Sequence, residues 1–140
     1  MFFDNISFNG NFINDNNNLT NDDKNDLFNI SDAFMLGNSF KSEFMGYKNY
    51  KVNHLSSNSE KGKLLLKIYE YDFAINDLSL YLDLHPEDQS MYNYFRKCTE
   101  KLRELVNTYE ENYGPLDLCE SDYENYEWVK GKWPFEGVDL

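Results

Sequence analysis

Tyr81-Leu82-Asp83-Leu84-His85-Pro86-Glu87-Asp88-Gln89 separates two stretches of helical patterning, and its brevity decides the fold. Before it, apolar residues fall at Leu64, Ile68, Tyr71, Ile75, Leu78 and Leu82, alternating steps of four and three. That spacing is a stripe along one face of a helix. After it, Met91, Tyr94/Phe95, Cys98, Leu102, Leu105 and Tyr109 repeat the stripe. A turn this short forces the second helix back antiparallel on the first. The pattern predicts an all-α chain built on a two-helix hairpin, with Leu64, Ile68, Ile75, Leu78, Leu82, Cys98, Leu102 and Leu105 as its core.

The first helix is expected over about Glu60–Asp83, with Ser59 as N-cap and Glu60 favouring the first turn. The second is expected over about Pro86–Tyr113, with His85 as N-cap and Pro86 where a missing N–H costs nothing. Gly114-Pro115 stops it. The first helix carries a second apolar strip, Leu66, Tyr69, Phe73, Leu80 and Leu84, beside a polar face of Asp72, Asn76, Ser79 and Asp83. One partner helix cannot cover two apolar faces. A single seam also does not offset the entropy of ordering both helices. Something else must cover the second strip, which points to an interaction protein. If that strip is covered, Asp72 or Asp77 needs a hydrogen-bond donor, such as a tyrosine hydroxyl or a partner's arginine.

The flanks differ from the hairpin. Residues 1–59 form an Asn-rich arm, read as largely disordered because Asn and Asp favour turns over helix interiors. Within it, residues 32–51 alternate aromatics with Gly37-Asn38 and Gly46, the pattern of a segment docking extended on another surface. Residues 60–140 hold the hairpin and an extended aromatic tail, with Tyr123, Tyr126, Trp128, Trp133 and Phe135 among acids.

Charge narrows the partners. The formal net charge is −12, from 13 basic and 25 acidic residues, and neither the arm, the hairpin nor the tail has a basic surplus. Nucleic acid and anionic membranes need a positive footprint and are poor partners. Aromatics make up 17% of the chain, which suits partly wet protein interfaces. The N-terminus lacks the pattern of a signal peptide, and no apolar run is long enough to span a bilayer. Synthesis in the cytoplasm is therefore expected. Cys98 and Cys119 are too few for a disulfide framework.

No catalytic residue, metal ligand set or cofactor is read from the chain. His54 and His85 have no second histidine at a ligand spacing, and no phosphate loop or nucleophile elbow occurs. Asp83, His85, Glu87 and Asp88 crowd the turn, where helix capping explains them.

The run from Glu70 to Asp88, Tyr113-Gly114-Pro115-Leu116 and Trp133-Pro134-Phe135 resemble the CotJB family of spore coat proteins. The resemblance covers roughly Lys63–Phe135, with Phe135 where the family more often ends in Trp. Gly37-Asn38-Ser39-Phe40 and Tyr47-Lys48-Asn49-Tyr50 are similar to segments of CotJA-like coat-associated chains. The resemblance implies a non-enzymatic protein made in the mother cell and deposited in the spore coat. It also implies assembly with a CotJA-like protein and CotJC, a manganese-catalase-like protein that would carry the metal chemistry. Phe73, Asp77, Leu80, Tyr81, Trp128, Trp133 and Phe135 are the expected partner contacts, with self-association as a further use of the same surfaces. The alternative is a metal-handling accessory that binds Mn2+ weakly at the acidic turn and passes it on.

Overall fold

A computed structural model describes residues 26–117. The reading of a largely disordered arm over residues 1–59 falls outside the described residues up to residue 25, and that of an extended tail bearing Cys119, Tyr123, Tyr126, Trp128, Trp133 and Phe135 lies outside them as well. Three helices fall wholly within them: α1 (Ile30–Leu36), α2 (Glu60–Leu84) and α3 (Gln89–Tyr113).

α2 starts where the Ser59 hydroxyl accepts the Gly62 N–H at 3.0 Å. It ends at His85, whose own N–H closes the last turn on the Tyr81 carbonyl. α3 begins three residues later than the proline pattern suggests. Its N-cap is Asp88, whose carboxylate accepts the Met91 N–H at 3.0 Å and the Tyr81 hydroxyl at 3.0 Å. A carboxylate with two free oxygens serves the positive end of a helix better than an imidazole does. Pro86 and Glu87 therefore stay in the turn, and His85 belongs to the end of α2. At the far end Gly114 adopts φ 96°, and its N–H bonds the Glu110 carbonyl.

The two long helices run antiparallel. Lys61 at the start of α2 lies 6.0 and 5.9 Å from the Tyr109 and Tyr113 rings at the end of α3. Between them, Leu64, Ile68, Tyr71 and Leu78 bury against Met91, Cys98, Leu105 and Tyr109. Leu78 and Cys98 are the most enclosed side chains, and Ile75, Leu82 and Leu102 pack half-buried against this core.

Residues 32–51 do not run extended throughout. Their first part is α1, and it docks on α2. Asn29 caps it by accepting the Asp32 N–H at 2.8 Å. Gly37, at φ 71°, ends it in the left-handed conformation that lets the Gly37 and Asn38 N–H groups reach the Ala33 carbonyl. Ile30, Ala33 and Phe34 then share one face, at i, i+3 and i+4. The chain turns back so that Leu27 pairs with Phe40, joined by Phe28 N–H to Ser39 O at 2.9 Å and Lys41 N–H to Asp26 O at 2.7 Å. Beyond Phe44 the chain is mostly exposed until α2, with Met45 and Tyr47 almost bare.

Candidate docking surface

The second apolar strip of α2 is divided. Its middle is covered by the chain itself. Phe34 meets Phe73 edge-on, with ring centroids 6.0 Å apart. Phe40 stacks on Tyr81 at 4.8 Å, and His85 leans on the same tyrosine at 4.5 Å. Between these ring pairs the Asp77 carboxylate accepts the backbone N–H of Ser39 at 2.7 Å. A donor that Asp77 meets is thus a main-chain group of the same molecule. Leu27, Ala33 and Ala74 are buried alongside.

This contact is imperfect at one point. The Ser39 hydroxyl is buried with no hydrogen-bond partner among the described residues. Other atoms of Ser39 border an apolar cavity of about 10 Å³ with Leu27, Ala33, Ala74, Leu78 and Tyr94. Such a space is at the lower limit for one water, and apolar walls would hold that water poorly.

The ends of the strip stay open. Leu80 is 57% exposed, Leu84 78% and Tyr69 51%. Leu80 and Leu84 are four residues apart, one above the other on the same side of α2 near the turn. Of the expected contact residues, Phe73, Asp77 and Tyr81 hold the N-terminal segment, Leu80 faces solvent, and Trp128, Trp133 and Phe135 lie outside the described residues.

The burial of Glu70 escaped the sequence reading. Glu70 is 3% exposed and is met by Lys67 at 2.6 Å, one turn away on the same helix. The i, i+3 pairing was visible in the sequence, but not its burial. Tyr71, Tyr94 and Cys98, which the stripes place in the seam, form a second polar group within it. Burial pushes the Cys98 thiol up to about 12, although a hydrogen bond with Tyr94 and the charge of Lys97 oppose the shift. Tyr71 is pushed up to about 12, first by burial and then by Cys98 beside it. Tyr94 is raised by the same two causes. These groups are neutral at ordinary pH and act as packing.

Asp88 is occupied by capping and by Tyr81, and His85 lies against a ring. Among the described residues, no three His, Cys, Asp or Glu side chains come together as a cluster suited to a metal ion. No described helix is long and apolar enough to cross a membrane.

The divided strip lies in the part of the chain that the family model described as CotJB protein matches, residues 62–136. The chain belongs to the CotJB family. CotJB is a spore-coat-related family and is not known for enzymatic activity. Among curated proteins and among solved structures, no match is found. The CotJB match takes in α2 from Gly62 onward, α3 and the residues that follow to Glu136. It leaves out α1 and the whole segment seated on Phe73, Asp77 and Tyr81.

Proposed function

We propose that this chain is a structural and assembly protein of the bacterial endospore coat, which docks on a manganese-catalase-like coat protein and on a CotJA-like partner. Membership of the CotJB family supports the setting. The observation that carries the docking role is the exposed pair Leu80 and Leu84 on α2, inside the family-matched part of the chain. Two leucines open to water at i, i+4 on an otherwise well-packed helix form the kind of apolar anchor an interface buries. In this reading Leu80 and Leu84 join Trp128, Trp133 and Phe135 as the contact surface. Phe73, Asp77 and Tyr81 act one step back, by holding the N-terminal segment.

Co-expression of the full chain with a manganese-catalase-like coat protein tests this. The wild-type chain is expected to co-purify in a fixed ratio. Leu80→Asp with Leu84→Asp, both at exposed positions, should lower capture about tenfold or more while helix content holds, since interface anchors contribute about 2 kcal/mol or more each. Trp133→Ala should also weaken capture. Undiminished capture by both variants removes this surface from the assembly role.

A further inference from the structure

We propose that the face of α2 bearing Phe73, Asp77 and Tyr81 accepts residues 26–44 of a second copy of this chain, so that copies link by exchanging this segment. The proposal rests on the assembly reading only for its biological setting.

The segment is built as a unit of its own. Asp26 accepts both the N–H and the hydroxyl of Ser42, each at 2.9 Å. Leu27 pairs with Phe40, Phe28 meets Phe44 edge-on at 5.6 Å, and Lys41 lies over the Phe28 ring. The stretch that follows keeps to the same unit: His54 reaches Asp32 at 3.3 Å, and the Leu55 N–H points at the Met35 sulfur at 3.4 Å. Past that point the attachments change sides. Ser57 bonds Ser59, the cap of α2, and packs against Gly62. The boundary between the two bodies is therefore Leu55–Ser57.

What joins the bodies is portable. It consists of ring contacts, buried apolar side chains and the Ser39 N–H on Asp77. None of these depends on which chain donates the segment. The acceptor side lies within the family-matched residues and the segment lies outside them. The closed and exchanged forms have the same contacts, so chain concentration sets the balance between them. Because the two bodies stay joined through Leu55–Ser57, the segment meets its own acceptor at an effective concentration on the order of millimolar, the value for a short link. Dilute chains close on themselves, and chains packed at that density exchange.

Two full-length variants test this. Phe40→Asp spoils the segment and leaves the acceptor whole. Asp77→Lys spoils the acceptor and leaves the segment whole. Each alone should be monomeric with wild-type helix content by circular dichroism. Mixed at about 100 µM, they should form a one-to-one heterodimer by native mass spectrometry, at least about tenfold more abundant than either homodimer, because the self-docking competitor is gone. A mixture that stays monomeric overturns the proposal, as do dimers formed equally by each variant alone. Should a variant lose its helices, light and isotopically heavy wild-type chains are refolded together from urea at about 1 mM. Mixed-isotope dimers that survive dilution support exchange, and monomers alone overturn it. Failure here leaves capture of the manganese-catalase-like protein standing, and loss of that capture leaves these dimers standing.

Discussion

Ser39 contributes through its backbone. Its N–H serves Asp77, its carbonyl serves Phe28, and its hydroxyl is buried without a partner among the described residues. Ser39→Ala should therefore stabilise the fold by about 1 kcal/mol, since an unsatisfied buried hydroxyl costs about 1–3 kcal/mol. Ser39→Pro should cost about 1.5–3 kcal/mol for the lost bond to a carboxylate, and amide exchange at Phe28 should speed accordingly. Urea titration of the pair checks both signs. At the centre of the seam, Leu78 is 1% exposed, so Leu78→Ala should cost about 2–5 kcal/mol in the same assay. Cys98 predicts the alkaline limit. Its thiol rises from 9.0 to about 12 on folding, and Tyr71 rises from 10.0 to about 12. Unfolded chains release these protons first, so their contribution is complete below about pH 9 and is lost as the pH climbs toward 12. Cys98→Ala should flatten that loss in melting curves taken between pH 8 and about 12.

At the scale of elements, the long helices are legible in the sequence and the short one is not. A heptad stripe sustained over 25 residues outweighs local exceptions, and Ser59 and Gly114 mark its outer limits. The start of α3 was obscured because Pro86 imitates a first-turn proline. The hydroxyl of Tyr81, arriving from α2, is a tertiary contact that helps hold Asp88 in the capping position. Asp88→Ala should cost about 0.5–2 kcal/mol for the cap, with an added loss as the Tyr81 hydroxyl gives up its bond to the carboxylate, read by thermal melting. α1 has only seven residues in an Asn-rich background, too few for periodicity to register. Its caps, Asn29 with Asp32 and Gly37, were the signal that remained. The division of the second strip into a covered Phe73 and exposed Leu80 and Leu84 had no local signature. It follows from where a segment some 40 residues earlier in the chain happens to lie.

For the molecule as a whole, a net charge of −12 works against compaction, so added salt should raise the melting temperature at neutral pH as screening weakens self-repulsion. The same whole-molecule view gives meaning to the ends of the hairpin. α2 is entered and α3 is left at one pole, where Lys61 meets Tyr109 and Tyr113. Tension across a bare hairpin of this build would peel the helices apart contact by contact from that pole, with little mechanical resistance. The N-terminal segment changes the point of loading. It grips α2 at Phe73, Asp77 and Tyr81, toward the opposite pole, so a pull from the N-terminus reaches the seam only after that grip slips. Stretched between its termini in an optical trap, the protein should yield in two events, the segment first and the helices second. Asp77→Ala should remove or lower the first. The docked segment then works as a strain relief, the part that gives way so that the seam behind it holds.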